Sequence, residues 1–99
     1  MNENKEDIGV VVLTKTNGVY FGYISELSIP DNRTIGLSGV RIAVYWPEAT
    51  RGIVGLAATG PGSGSKITAA APYAIIADVQ TILQCTDGAI NQWEKGIWN

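Results

Sequence analysis

"IGVVVLTKTNGVYFGYIS", residues 8–25, decides how the chain is read. Its first half, Ile8 to Thr14, is an unbroken apolar, β-branched run. A strand with one wet face would alternate, so an unbroken run is the mark of a strand buried on both faces. Asn17-Gly18 then offers two residues tolerant of positive φ, and a hairpin with a type I′ turn is expected. The return strand "VYFGYIS" (19–25) sets Val19, Phe21 and Tyr23 on one face and Tyr20, Gly22 and Ile24 on the other. Gly22 marks a bulge or a close backbone approach.

Outward from the hairpin, "IPDNR" (29–33) reads as a turn. "RTIGLSG" (33–39) reads as a short strand, and "VRIAVYW" (40–46) as a second with the clearest alternation in the chain. The expected inward set is Val40, Ile42, Val44 and Trp46, which leaves Arg41, Ala43 and Tyr45 on the outer face. Pro47 ends this strand, and Thr50 is placed to N-cap a short helix over 51–59 with Gly60 as its stop. Residues 60–65, "GPGSGS", read as a flexible loop, "KITAAA" (66–71) as a short extended piece, and "YAIIADVQTILQ" (73–84) as one strand. In "CTDGAINQWEKG" (85–96), Thr86 N-caps a last helix, Ala89, Ile90 and Trp93 face inward, and Gly96 stops it. Ile97 and Trp98 then dock back on the body. The expected architecture is mainly β (α+β): a small curled antiparallel sheet or barrel of five to six strands, with a short central helix and a C-terminal helix. Residues 1–7 read as a flexible tail and 8–99 as a single β-rich domain.

With 45% hydrophobic and 16% charged residues, the 99-residue chain has the composition of a compact fold rather than a disordered one. A domain this short buries about 60–70% of its unfolded surface, so self-association is a ready source of extra stability. No apolar run approaches the roughly 20 residues that span a bilayer. The opening "MNENKED" lacks the basic start and apolar core of a signal peptide. Cys85 is the one cysteine and has no internal disulfide partner. These features point to the cytoplasm, and to no membrane partner.

The formal charge of −2 argues against DNA or RNA as a partner, since such binding depends on a basic surface. The charge is unevenly spread. Arg33, Arg41, Arg51 and Lys66 face only Glu48 within 33–77, while acids prevail on either side. A small anion held by the middle segment would account for that island.

There is no histidine, which removes the commonest general base and most zinc sites. Cys85 without a histidine reads as a small core residue. The acids form no dyad, so no catalytic residue, no metal ligand and no cofactor is assigned, and the chain reads as a non-enzyme. "GPGSGSKI" (60–67) fails the phosphate-loop pattern, because Ser65 stands where a glycine is required and Ile67 where the metal-binding hydroxyl belongs. Its ingredients still suit an anion: glycine-rich backbone whose N–H groups can converge, the hydroxyls of Ser63, Ser65 and Thr68, and the charge of Lys66. The expected ligand-binding set is Tyr20, Arg41, Tyr45, Trp46, Arg51, Gly62, Ser63, Ser65, Lys66 and Thr68.

Six pieces in order carry a resemblance: "GVYFG" (18–22), "RIAVYW" (41–46), "GLAATG" (55–60), "SK" (65–66), "ILQCT" (82–86) and "AINQWEKGIW" (89–98). Through them residues 10–98 resemble a family of small uncharacterised proteins common in phages and prophages. This sequence departs from that pattern in having Ile42 beside Arg41 instead of a second basic residue. The resemblance implies a viral setting. It points to a phage anti-defence sponge: a homo-oligomer that sequesters a nucleotide signal of bacterial immunity, such as a cyclic ADP-ribose isomer or a cyclic oligonucleotide. The resemblance implies that the cations of the binding set meet phosphates and that its rings stack on bases. The alternative is a phage module that inhibits a host protein, or a minor structural component, with Ile97-Trp98 as anchor.

Overall fold

In a computed structural model, residues 7–98 are described, and residues 1–6 of the expected tail lie outside them. The chain runs β1 (Ile8–Thr14), β2 (Val19–Ile24), β3 (Ile35–Tyr45), a 3-10 turn (Glu48–Thr50), α1 (Gly52–Ala58), β4 (Lys66–Ile67), β5 (Ala71–Ile76), β6 (Val79–Gln84) and α2 (Asp87–Glu94). The six strands form one antiparallel sheet in the order β4-β3-β2-β1-β6, and β5 also pairs with β3. The sheet is not closed, but it is curled.

The curl follows from lengths. From β5 across β3, β2 and β1 to β6 a flat sheet would span about 19 Å, four strand spacings. Yet β5 and β6 are joined through residues 77 and 78 alone, which reach about 11 Å at most. The strands bend round, and Val79 N–H donates to the Arg33 carbonyl at 2.9 Å where the edges approach.

This bend creates two cores. Inside the curl lie Val10, Val12, Ile24, Ile35, Leu37, Val40, Ile76 and Val79. On the convex face, Val11, Val19, Phe21, Ala43 and Ile67 pack against Leu56 and Ala57 of α1 and Ala89 and Trp93 of α2. The β1 strand is therefore buried on both faces, as its unbroken run requires. Trp93 joins three elements: it is fully buried, stacks on Phe21 at 5.0 Å between centroids, and its indole N–H donates to the Leu56 carbonyl at 3.0 Å.

Several local expectations are corrected. The hairpin exists, but its turn closes Thr14 to Asn17, with Asn17 N–H donating to the Thr14 carbonyl. Only Asn17 of the Asn17-Gly18 pair takes positive φ, so the turn is not type I′. The two strands expected over 33–46 are one 11-residue strand. Its pairing with β2 slips by one residue between Phe21 and Tyr23, opposite Gly39 at φ +57. Gly22 lies at this slip, where a Cβ would come 2.9 Å from that of Leu37.

The inward face of 40–46 is also corrected. Arg41 and Ala43 face the helices, while Ile42 and Val44, although on the face of buried Val40, run past the curl and lie exposed. Thr50 does not cap α1; it is buried in the 3-10 turn, and Arg51, at φ 71, holds the cap position without a side-chain bond. Gly55 is required because a Cβ there would meet the Thr50 carbonyl at 1.6 Å. The run 73–84 is two strands, broken at Asp78 with φ 57. The last helix forms as expected: the Thr86 hydroxyl accepts from Ala89 N–H at 3.0 Å, and Gly96 ends it at φ +59.

Replacing Trp93 tests how far the two helices depend on it. We expect Trp93→Ala to cost about 3–5 kcal/mol in urea unfolding, the usual range for a buried aromatic. Trp93→Phe keeps a ring against Phe21 but removes the donor to Leu56, and should cost about 1–3 kcal/mol.

Candidate functional site

Ile67 is 1% exposed in the convex core, and strand alternation turns its neighbour Lys66 the other way. On one side Lys66 is paired with Tyr45 at the end of β3. On the other it bridges to Trp98, and Ile67 N–H donates to the Ile97 carbonyl, which holds the C-terminal segment against β4. The result is a row of three neighbours, Tyr45–Lys66–Trp98. The Lys66 ammonium lies 5.4 Å from the Trp98 ring centroid, within cation–π range. Tyr45 and Trp98 are 52% and 59% exposed. A cation against one accessible aromatic ring, with a second exposed aromatic residue paired beside it, can meet the negative charge and the flat face of one ligand together.

The glycine-rich loop beside this row is anchored. Pro61 and Ser65 are fully buried. Gln92 of α2 donates to the Pro61 carbonyl at 3.0 Å, and Ser65 N–H donates to the Gly62 carbonyl across Gly64 at φ +91, the conformation a type II turn requires at its third residue. An open groove of about 390 Å³ lies between residues 47–50 and 59–63, with Gln92 at its end.

The ten expected binding residues are thus distributed. Tyr45 and Lys66 come together, with Trp98 as a third member. Gly62 and Ser63 line the groove. Ser65 is inside the protein, and its hydroxyl has no hydrogen-bond partner among the described residues. Thr68 is engaged on three sides: its N–H donates to the Ile42 carbonyl, its hydroxyl accepts from Ile42 N–H, and its carbonyl accepts from Arg41. Trp46 packs partly buried against the convex core. Arg51 is exposed at the start of α1, and Tyr20 packs on the core inside the curl, opposite Phe21.

Arg41 is a clamp. Its side chain is 14% exposed and donates to the Thr68 carbonyl at 3.0 Å and the Glu94 carbonyl at 3.3 Å, with the Glu94 carboxylate at 3.6 Å. A cation at the end of α2 also complements the negative end of that helix. Glu94 accepts a hydrogen bond from the Tyr23 phenol as well. Burial, then this bond and the carboxylate charge, hold the Tyr23 phenol well above its ordinary range. Cys85 is buried, and burial pushes its thiol from 9.0 up to about 12. Among the described residues no group of three or more His, Cys, Asp or Glu could hold a metal ion, and no helix is long and apolar enough to cross a membrane.

Trp98 was the member that local sequence could not supply. Its link to Lys66 depends on two chain segments more than thirty residues apart meeting along β4.

The two raised groups give a signed pH dependence. Both are neutral when folded, and their unfolded forms ionise near 9 and 10. Their contribution is complete below about pH 9 and is lost as pH rises toward and beyond 12. The urea midpoint should fall steadily above pH 9, and Tyr23→Phe should flatten the fall above pH 10. At pH 8 a thiol reagent should leave native Cys85 unmodified and label it in denaturant; equal rates in both would contradict its burial.

A family model described as a domain of unknown function (DUF6948) matches residues 8–93. No curated protein and no solved structure matches the chain. The chain belongs to the DUF6948 family, the match taking in all six strands and most of α2.

Proposed function

We propose that this is a non-enzymatic binding protein that sequesters a small anionic, nucleotide-type ligand at the Tyr45–Lys66–Trp98 row. The observation that carries the reading is the Lys66 ammonium against the exposed Trp98 ring, with exposed Tyr45 as its pairing neighbour on β3. A phosphate pairs with the ammonium, and a base stacks on indole or phenol. Stacking contributes roughly 1–3 kcal/mol per base in nucleic-acid systems, and a charged hydrogen bond about 1.5–3 kcal/mol. Micromolar binding needs about 8 kcal/mol, so the row alone falls short for a mononucleotide. It comes nearer for a ligand with two bases and two phosphates, or where a second subunit completes the pocket.

That arithmetic favours a cyclic oligonucleotide among the cyclic signals of bacterial immunity; a cyclic ADP-ribose isomer, with one base and two phosphates, relies on the second subunit. The setting we propose is a phage protein acting in the host cytoplasm as a homo-oligomeric sponge. Arg41 enters this reading as the residue that positions β3 and α2 rather than as a ligand contact.

Calorimetry with cyclic ADP-ribose and a panel of cyclic di- and trinucleotides tests the proposal. One of them should bind at micromolar affinity or better, and Lys66→Ala and Trp98→Ala should each weaken it at least tenfold while leaving the thermal midpoint within a few degrees. Absence of binding across the panel would sink the nucleotide reading. Binding that survives both substitutions would move the site away from the row.

A further inference from the structure

We infer that Asn17-Gly18 is a site of spontaneous covalent modification, which the folded hairpin keeps closed through the Thr14 hydroxyl. An asparagine followed by glycine is the pair most open to cyclisation, because glycine carries no side chain to shield its nitrogen. The Gly18 nitrogen gives its proton to hydroxide and attacks Cγ of Asn17. The new N–Cγ bond closes a five-membered succinimide. The Cγ–Nδ2 bond breaks, and Nδ2 takes a proton from water and leaves as ammonia. A second water opens the ring at one of its two carbonyls and leaves aspartate or isoaspartate. Water is the one co-reactant. Asn17 is exposed, so water and hydroxide reach it.

The fold calls for this labile pair. Asn17 stands at φ 69, which asparagine accepts more readily than most residues. A Cβ on residue 18 would lie 2.8 Å from the Tyr20 ring and 3.0 Å from the Thr14 hydroxyl, a close approach that favours glycine. The same turn supplies the lock. Gly18 N–H donates to the Thr14 hydroxyl at 3.0 Å, and a proton held by an acceptor is harder to remove. The hydroxyl is itself well fixed. Thr14 is 4% exposed, its carbonyl accepts from Asn17 N–H, and its N–H donates to the Gly18 carbonyl. Gly18 is thus held on both sides and cannot swing its nitrogen onto Cγ of Asn17 until these bonds open.

Conversion runs one way. Isoaspartate carries the chain through its β-carboxyl and so inserts an extra backbone atom between Thr14 and Gly18. That turn sets the register of β1 against β2 from Ile8↔Ile24 to Leu13↔Val19, and an opened molecule that becomes isoaspartate cannot rebuild it. Either product also adds one negative charge to the chain. The chemistry does not touch the Tyr45–Lys66–Trp98 row: peptide mapping reports the one and calorimetry the other, so either reading can fail alone.

The full chain is aged at pH 8, native and in urea, and peptide mapping follows asparagine, aspartate and isoaspartate at position 17. The denatured chain should convert at least tenfold faster than the native one. Thr14→Val keeps the shape but removes the acceptor, and in native buffer it should convert at least fivefold faster than wild type. In urea the two should convert at the same rate. Thr14→Ser keeps the hydroxyl and should stay near the wild-type rate. The unfolded fraction of each variant, read from its urea titration, gives the acceleration that global opening alone would produce; the lock predicts more than that. Thr14→Ala takes the place of Thr14→Val if the latter does not fold. Native wild type converting as fast as the denatured chain overturns the inference. So does a folded variant without the hydroxyl that converts no faster than its unfolded fraction accounts for.

Discussion

Val10, Val11 and Val12 are each sealed from water although their side chains point alternately to opposite faces of the sheet. A sheet of five or six strands offers one covered face readily; two require more. The helices supply one cover, with Leu56, Ala57, Ala89 and Trp93 over Val11. The sheet supplies the other by bending on itself, so that Val10 and Val12 meet Leu37 of β3, Ile76 of β5 and Val79 of β6. A slip of one residue would keep these valines buried but exchange every partner in β2 and β6. The short link between β5 and β6 and the slip opposite Gly39 are consequences of the same need. Both let the flanking strands turn toward the inside of the curl.

The helical cover then determines what remains outside. β3 continues past the curl, and its last residues are held by β4 instead of β5. Ile67 fills the convex core at that point, and its insertion presents Lys66 next to Tyr45. The C-terminal segment leaves α2 at Gly96 and returns along β4, which brings Trp98 to the other side of Lys66. Arg41 fixes this geometry from beneath by tying β3 to the end of α2 and to Thr68. The glycine-rich loop serves the same packing. Its glycines let Pro61 enter the protein against α2 and Ser65 become buried, a structural demand that looks like flexibility when only composition is seen.

What the sequence made legible was local and strongly patterned: the doubly buried β1, the hairpin, the Thr86-capped helix with Ala89 and Trp93 inward, and the buried Cys85. The misreadings share a cause. The alternation of 40–46 was real, but alternation says only that two faces differ. Helices cover the face that carries Arg41, and solvent meets Ile42 and Val44. The break at Asp78 was hidden because a non-glycine residue takes the left-handed conformation there. Of the expected binding set, Tyr45 and Lys66 meet across paired strands, while Arg41 and Thr68 are spent on each other. No spacing rule foretells that division, because it depends on which strand pairs with which.

Native-state amide hydrogen exchange followed by NMR, at a protein concentration of a few micromolar to tens of micromolar, tests the doubly covered sheet most directly. The account predicts that the amides of Val10, Val11 and Val12 exchange only through global unfolding, with a free energy equal to that from urea. The amides of Tyr73 and Ile75, which point away from β3 at the edge of β5, should exchange orders of magnitude faster. Exchange of the β1 amides as fast as those of β5 would contradict the central place given to that strand.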